Sequence, residues 1–258
     1  MIVTLMTDFG LSDAYVGVMK GTIAQINPRL QTIDLTHQIP PQDITSARFQ
    51  LMTAYPYFPD GTVHVVVVDP SVGSSRRAIA VQLKAGFVVA PDNGLVSGIL
   101  EHAVAAVELT NRKYWRSQTP SATFHGRDIF APVGAHLASG VPLKELGDEI
   151  DLNSIIKLPI PDAIATENGI QGVIQAIDHF GNLITNIPGE RFFNCSWSVQ
   201  IHQSIYAGHT TYADAKVGEI IGLIGSHGWV EIAMNHGNAQ SYLKLGIGTS
   251  IVTVIQSN

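Results

Sequence analysis

Residues 62–70 read Thr-Val-His-Val-Val-Val-Val-Asp-Pro, the most β-branched stretch of the chain, and they decide the fold class. β-Branched residues favour strands, and an unbroken apolar run without alternation is typical of a strand buried on both faces of a parallel sheet. The run ends abruptly at Asp69-Pro70. The stretch therefore predicts a buried strand of an α/β sheet with a carboxylate just beyond its end.

Upstream of this strand, short β-rich runs alternate with helical patterns. Ile2–Met6 and Thr32–Leu35 predict strands, and apolar residues at helical spacing follow each of them. Ser12 is the expected N-cap of the first helix and Asp43 that of the second, because both side chains accept hydrogen bonds from backbone N–H groups. The order predicted up to residue 68 is strand, helix, strand, helix, strand.

Downstream, the same alternation continues. Ala78–Leu83 and Phe87–Ala90 predict two more strands, and a helix is predicted from Ile129 to Leu137, closed by Gly140. This pattern is typical of a sheet covered by helices on both faces. Residues 1–157 are therefore predicted to form an α/β domain with a mainly parallel sheet.

The last third of the chain has a different pattern. Helical periodicity fades after residue 161, and short apolar runs separated by Gly, Asn and Asp predict an antiparallel barrel or sandwich. We place a linker at residues 157–168 and a smaller second domain at 168–258. A cleft between two domains is a common ligand site, so we expect the ligand there.

Composition restricts the class of protein. The 258 residues are 45% hydrophobic and 14% charged, which excludes a disordered chain. A net charge of −6 without a basic run does not suit a nucleic acid. The single cysteine, Cys195, excludes an intrachain disulfide, and the ten scattered histidines form no recognisable metal-ligand pattern. Apolar runs too short for a membrane span and a start without a basic leader predict a cytoplasmic protein.

The first polar cluster, Thr7–Asp13, follows the first predicted strand, where open α/β sheets bind ligands. An ionised Asp8 offers two acceptor oxygens and would hold both hydroxyls of a ribose; the alternative is that it only shapes the turn. Asp13 is expected one residue into the helix, where the helix dipole favours its charge.

Two further clusters carry candidate catalytic groups. Arg76 returns seven residues after Asp69 across a loop of small residues, so the pair would hold and polarise a water molecule. The alternative is a structural ion pair that braces the loop. His125 precedes a predicted helix, whose dipole keeps a histidine neutral; taken alone, it is more often a packed or capping histidine than a catalyst.

Two turns in the second domain have polar tips. Asn182, within 178–186, carries both a donor and an acceptor, which suit an adenine edge or an amino-acid head group. Gly225-Ser226-His227 forms the other turn. Either turn alone is typical of an ordinary β-turn.

Taken in order and spacing, the clusters carry a family resemblance that runs nearly end to end. The chain resembles the S-adenosyl-L-methionine (SAM) hydrolases, or SAM hydroxide adenosyltransferases, which are related to the fluorinase and chlorinase. The motifs that carry the resemblance are Thr7-Asp8-Phe9-Gly10, Asp69-Pro70-Ser71-Val72-Gly73 with Arg76-Arg77, Pro91-Asp92-Asn93-Gly94, Phe124-His125-Gly126-Arg127-Asp128, Phe180-Gly181-Asn182 and Gly225-Ser226-His227.

The resemblance implies an amino-terminal α/β domain joined to a carboxy-terminal β-barrel, assembled as a homotrimer. The implied reaction converts SAM and water to adenosine and L-methionine without a cofactor or metal. The implied catalytic residues are Asp69, Arg76 and His125, and Asp8 is implied to hold the ribose hydroxyls. The remaining implied substrate contacts are Asn182, Ser226, Asp13 for the methionine amino group, Glu231 and the Met234 backbone for the adenosine, and Tyr212 stacked on adenine.

Three functions besides hydrolysis are compatible with the same residues. The first is a SAM-dependent halogenase, but the halogenating relatives carry an aromatic residue where Asp69 stands, a serine where Gly126 stands and an extra loop. A halide near the Asp69 carboxylate would be repelled by about 4 kcal/mol at 4 Å and intermediate dielectric, which favours water over a halide. The second is a non-catalytic SAM or adenosine sensor, which has no need of the three catalytic groups. The third is a structural protein whose clusters are merely turns.

Overall fold

The computed structural model describes residues 1–193 and 195–255. They fall into two compact units, residues 1–158 and the residues from 159 onward. The predicted α/β fold class with an antiparallel second part is confirmed, and each unit is described by itself below.

The first unit contains a sheet whose described strands number seven. Its elements in chain order are β1 (Ile2–Thr7), α1 (Tyr15–Ile26), β2 (Gln31–Thr36), α2 (Ile44–Ala54), β3 (Thr62–Val67), β4 (Ala78–Leu83), β5 (Gly86–Pro91), β6 (Ala103–Glu108), α3 (Ala131–Ala138) and β7 (Asp148–Glu149). The strand order is β2-β1-β3-β5-β4-β6-β7.

This sheet is mixed rather than parallel throughout. Strands β2, β1, β3 and β5 pair in parallel, whereas β5–β4, β4–β6 and β6–β7 pair antiparallel. Lys84-Ala85 leaves room only for a tight connection from β4 to β5, and a connection that short joins antiparallel strands, since a parallel pair needs a longer crossover. The parallel half is the part that carries Asp8 and Asp69 beyond its strand ends.

Helices cover both faces of the sheet and make two cores. Met19 and Ile23 of α1 join α3 and one face of the strands, and Leu51 of α2 joins Leu95 and the other face. All six residues of β3 are buried. The prediction of a strand buried on both faces is confirmed, because apolar side chains on each face meet a helical layer.

The helix termini confirm one predicted cap and correct another. Asp43 caps α2 by accepting a hydrogen bond from Ser46 N at 2.8 Å. Ser12 does not cap α1: the helix starts at Tyr15, and Ala14 occupies its N-cap position. Asp13 therefore lies in the preceding turn, exposed, and not one residue into the helix. The predicted 129–137 helix starts with one π-helical turn at Gly126–Phe130, before α3.

The second unit is an antiparallel sheet that curls into a nearly closed barrel. Its elements are β8 (Ile164–Thr166), β9 (Gly169–Ile177), β10 (Leu183–Pro188), β11 (Trp197–Ile201), β12 (Ser204–Ala207), β13 (Ile220–Ile224), β14 (Trp229–Met234), α4 (Ala239–Leu243) and β15 (Ser250–Ile255). The order is β12-β11-β15-β9-β10-β14-β13, with β8 beside β9. A single bridge between Gly208 and Gly222 brings the two ends together.

Inward side chains of these strands form the barrel core. Ile174, Leu183, Val199, Ile232 and Ile251 are all buried in one apolar cluster. Every run that predicted a strand in this unit is part of one. The segment 157–168, predicted as a linker, contains the short strand β8. The backbone of β8 pairs with β9.

Candidate active site

The site in the first unit starts from two neighbouring strand ends. β1 and β3 are parallel, and Thr7 at the end of β1 pairs with Val67 at the end of β3. Asp8 follows the first strand directly and Asp69 follows the second by two residues. Parallel strands present their carboxyl ends at one edge of a sheet, so the two carboxylates reach the same edge.

Arg76 joins the other two predicted catalytic residues. Its Nε donates to Asp69 Oδ1 at 3.1 Å and Oδ2 at 3.0 Å, and its Nη2 also pairs with Asp69. The same Nη2 lies 2.7 Å from His125 Nδ1, and the guanidinium stands 5.2 Å from the Phe130 ring centroid. Asp69, Arg76 and His125 therefore form one connected group, although they are 56 positions apart in the chain.

The chemistry of Arg76 fixes the protonation pattern of His125. A guanidinium has only donors, so His125 Nδ1 accepts its hydrogen bond and the neutral ring carries its proton on Nε2. Burial and the positive charge of Arg76 lower the pKa of His125, against the opposing effect of Asp69 and Asp128. His125 is thus a neutral N–H donor at neutral pH. Burial is the largest of these causes.

Close backbone packing brings the loops of Asp69 and His125 together. Gly73 has a φ of +81°, and a Cβ placed on it would stand 2.4 Å from the carbonyl oxygen of Ala122. Only glycine fits, because both the φ value and the contact exclude a side chain. The loop that follows β3 consequently packs directly on the segment that precedes His125.

Two residues that the sequence analysis did not single out hold these loops. Asn93 Nδ2 donates to the Val68 carbonyl at 2.8 Å, just before Asp69. Asp128 accepts from Arg127 Nε at 2.7 Å and Ser121 N at 2.8 Å. Burial opposes the charge of Asp128, but these hydrogen bonds hold its pKa below the ordinary value. Both lie inside motifs that carried the family resemblance, which was the only signal for them in the sequence.

A cavity of about 320 Å³ opens onto this edge of the first unit. Its walls include Asp8, Asp69 and His125, together with the apolar Phe9 and Phe124. Asp13 does not line this cavity. The cavity combines two carboxylates and an imidazole with an apolar wall, which are the features of a site for a polar ligand that carries an aromatic or aliphatic part.

The second unit has a cavity of about 590 Å³ that gathers three predicted residues. Asn182, Tyr212 and Met234 line it, with Phe180 and His236. Asn182 Nδ2 donates to Asp178 Oδ2 at 3.0 Å, which orients the amide. The exposed Tyr212 and Phe180 rings give this cavity an apolar wall that is suited to a flat ring.

Glu231 lies behind that wall, with both of its oxygens engaged. Its side chain is 4% exposed, accepts from Tyr212 OH at 2.7 Å on Oε1, and faces His227 Nε2 at 3.2 Å on Oε2. Trp229 N donates to His227 Nδ1 at 3.1 Å, so Nε2 carries the ring proton. Burial, followed by the Glu231 carboxylate, raises the pKa of Tyr212. Glu231 therefore anchors Tyr212 and the turn that contains His227.

Ser226 is not brought together with those residues. It lines a separate cavity of about 820 Å³, with Phe193, Trp197 and Thr210. The predicted ligand contacts of the second unit thus divide between two cavities, which their spacing in the chain does not reveal.

Across 1–193 and 195–255, no group of three or more His, Cys, Asp or Glu side chains is arranged to hold a metal ion. In the same residues, no helix has the length and hydropathy to cross a membrane.

Comparison with known proteins assigns the chain to a family. Models of the SAM hydroxide adenosyltransferase N-terminal and C-terminal domains match residues 3–147 and 172–252. The chain belongs to the SAM hydroxide adenosyltransferase family. The predicted resemblance is therefore confirmed.

Two relatives and one solved structure illustrate the similarity of this chain to other proteins in sequence and in structure. An (R)-S-adenosyl-L-methionine hydrolase of Salinispora tropica is 38% identical over 244 residues, 93% of each chain. A fluorinase of Actinoplanes sp. is 29% identical over 271 residues, 91% of each chain. The crystal structure of an uncharacterized conserved protein from Thermotoga maritima has a TM-score of 0.90 and 37% identity, and covers 97% of this chain and 99% of its own.

Proposed function

We propose that the protein is an enzyme that hydrolyses SAM to adenosine and L-methionine, by attack of water at the ribose C5′. The observation that carries this proposal is the Asp69–Arg76–His125 group at a cavity shared with Asp8, in a chain more similar to a SAM hydrolase than to a fluorinase. The names of such relatives specify (R)-SAM, so that form is the first substrate to test.

The substrate supplies its own activation. A sulfonium sulfur makes C5′ electrophilic and leaves as the neutral thioether of methionine, so no metal or covalent intermediate is required. In the step proposed, the water oxygen forms a bond to C5′, the C5′–S bond breaks, and its electron pair goes to sulfur. The water proton passes to the protein and then to solvent.

Asp69 is the proposed acceptor and orienting group for the water. Its side chain is 5% exposed and lines the cavity, and Arg76 fixes the plane of its carboxylate. Holding a nucleophile in line with the breaking bond contributes several powers of ten to a rate. The Nε2–H of His125, which lines the cavity, stabilises the developing hydroxide, and Arg76, which does not line it, acts through its hydrogen bonds to Asp69 and His125.

Substrate contacts are proposed on both units. Asp8 holds the ribose hydroxyls. Asn182, Met234 and the Tyr212 ring bind the adenosine, with Glu231 acting through its hydrogen bond to Tyr212. The methionine amino group is assigned to Asp13, and Ser226 is a further ligand contact.

The domains at 1–157 and 168–258 and a cytoplasmic location, which the sequence patterns predict, are also proposed, together with the homotrimer that the family resemblance implies. Three exposed apolar side chains near Asp13 (Leu11, Tyr15 and Val18) support an assembled state, because apolar clusters at a surface are typical of contact areas. Sedimentation equilibrium is the test of the trimer: a mass of one chain, unchanged with concentration, would contradict it.

The experiment that tests the reaction is product analysis in isotopically labelled water. SAM is incubated with the protein, with and without chloride, and the products are resolved by chromatography and mass spectrometry. We expect adenosine with the label in its 5′-hydroxyl, and L-methionine without it. Unlabelled adenosine would exclude attack at C5′, 5′-chloroadenosine would identify a halogenase, and no product would leave a binding protein.

A further inference from the structure

The turn that carries Asp8 depends on hydrogen bonds from outside itself. Phe9 N donates to Thr7 Oγ1 at 3.2 Å, and Gly10 N donates to the His37 carbonyl at 2.8 Å. Gly10 has a φ of +68°. The Asp8 backbone is thus held between the Thr7 hydroxyl on one side and residue 37 on the other.

The His37 ring completes this arrangement. The residue is 3% exposed, and its Nδ1 lies 2.9 Å from Thr7 Oγ1. The Thr7 hydroxyl has one proton and accepts from Phe9 N, so donation to Nδ1 satisfies both groups. On the opposite side of the ring, Nε2 stands 3.1 Å from Asp34 Oδ1 without the alignment of a hydrogen bond, and Lys20 Nζ binds Asp34 Oδ2 at 2.6 Å.

The segment that begins at His37 also reaches the Asp8 carboxylate. Gln42 N donates to Asp8 Oδ2 at 2.8 Å, from a backbone with a φ of +68°. Residues 37–42 therefore contact the Asp8 turn at Gly10, through Thr7 and at the carboxylate itself. A change at the His37 ring would be transmitted to the position of Asp8, because its Thr7 partner is the neighbour of Asp8.

We propose that His37 is a positioning residue that, through Thr7, holds Asp8 in the orientation that binds the ribose of the substrate. The inference rests on the proposed role of Asp8 in substrate binding. It assigns no chemical step to His37, which does not line the cavity.

The first test uses two variants that remove the contact from either side. Thr7→Val and His37→Phe are each expected to raise the adenosine Kd and the KM for SAM about tenfold, the upper range for one lost hydrogen bond, with kcat within about threefold. The double variant is expected to bind no more weakly than Thr7→Val alone, because Thr7→Val already removes the contact with His37, together with the acceptor of Phe9 N. Calorimetry with adenosine and steady-state kinetics with SAM measure this.

Conservative replacements separate the two sides of the ring. His37→Asn places an amide oxygen near the position of Nδ1, whereas His37→Gln reaches toward Asp34. We expect Asn to restore the adenosine Kd to within about threefold of the parent and Gln to leave most of the loss, since a single hydrogen bond to Thr7 decides the effect.

The chain provides a matched control on the same strand. Thr4 Oγ1 lies 2.8 Å from His64 Nδ1, and both residues are buried, but the pair is remote from the strand end. Thr4→Val removes the corresponding threonine–histidine hydrogen bond and should leave the adenosine Kd unchanged. Equal changes of the adenosine Kd in Thr4→Val and Thr7→Val would show that these contacts have only a general structural role and would overturn the proposal. Folded Thr7→Val and His37→Phe proteins with the parent Kd would also overturn it.

Amide hydrogen exchange tests the positioning without any substrate. We expect the Phe9 and Gly10 amides to exchange about tenfold faster in His37→Phe than in the parent, as for one lost hydrogen bond, and to be protected again in His37→Asn. A parent that fails to turn over SAM refutes the proposed function and leaves this measurement intact. Unchanged exchange in a folded His37→Phe protein refutes the positioning role, whatever the activity.

Discussion

Arg76 is placed where one side chain serves two acceptors. Its guanidinium binds the Asp69 carboxylate through Nε and Nη2, and shares Nη2 with His125. Asp69 and Arg76 are 5% and 8% exposed. Removing one partner of an ion pair this well buried destabilises the fold strongly, because the other charge is left without compensation.

Asp69→Asn is the residue-scale prediction for catalysis. The amide keeps the shape of the carboxylate but cannot take a proton from water, so we expect kcat to fall by about 10² to 10⁴ while the adenosine Kd stays within a few-fold of the parent. Steady-state adenosine release and calorimetry check it. Turnover at the parent rate in this variant would remove Asp69 from the mechanism.

Asp8→Ala is the prediction for binding. Hydrogen bonds from the ribose hydroxyls to a carboxylate contribute about 1.5–3 kcal/mol each, so we expect the adenosine Kd to rise at least about tenfold. Asp8→Asn retains an acceptor for Gln42 N and serves as the control for loop structure. An unchanged affinity in Asp8→Ala would exclude Asp8 from the ribose site.

At the scale of the elements, the loop after β3 is fixed by a backbone contact that only glycine allows. Gly73→Ala combines an unfavourable φ with a Cβ 2.4 Å from the Ala122 carbonyl. We expect about 1–3 kcal/mol of destabilisation and a loss of kcat, because the Asp69 and His125 loops must separate. Gly140→Ala is the matched control: its φ is +95° but its Cβ would meet nothing within 4 Å. Gly140→Ala should be destabilised by its backbone conformation alone, with kcat unchanged. Equal losses of kcat in both variants would contradict this explanation.

Strand β3 also makes stability depend on pH. Burial lowers the pKa of His64 from 6.5 to about 4. The unfolded chain takes up a proton as the pH falls below about 6.5, whereas the folded chain does so only near 4. Stability from His64 is therefore lost as the pH falls through that window, by about 2 kcal/mol between pH 7 and pH 5.

His64→Asn tests this, because its amide oxygen still accepts from Thr4 but does not titrate. We expect the free energy of urea unfolding to fall less steeply from pH 7 to pH 5 in the variant than in the parent, by about 2 kcal/mol. His125 and His136, whose pKa values are also lowered, chiefly by burial, contribute in the same direction in both proteins. Identical slopes would show that His64 does not titrate between the two states.

At the scale of the whole molecule, ligand binding and folding are linked. A ligand at 100 times its Kd that binds only the folded state adds about 2.7 kcal/mol to the free energy of unfolding. We expect adenosine to stabilise the parent by this amount and Asp8→Ala by about 1.4 kcal/mol or less at the same concentration, since a tenfold higher Kd leaves the ligand at 10 times its Kd. Thermal or urea unfolding with adenosine, and with free uracil as a control base, measures it. No stabilisation of the parent by adenosine would contradict an adenosine site.

Much of the fold could be predicted from local sequence patterns. The β-branched run at 62–68, the Asp43 cap and the short apolar runs after residue 170 each specify an element through interactions with near neighbours. The family motifs likewise identified Asp69, Arg76 and His125, which the structure joins into one group. Residue type and spacing suffice for the strands and the helix cap, because β propensity and capping act within a few residues.

What only the tertiary structure decided depends on contacts between distant segments. The order of the strands in the mixed sheet depends on pairing between segments far apart in the chain, and Ser226 and Asn182 line different cavities although both lie at turns of the second unit. Likewise, His37 is an unremarkable histidine in the sequence and becomes a partner of Thr7 only when β1 and β2 pair. Hydrogen bonds between residues so far apart in the chain leave no periodic signal, because their geometry exists only after the chain has folded.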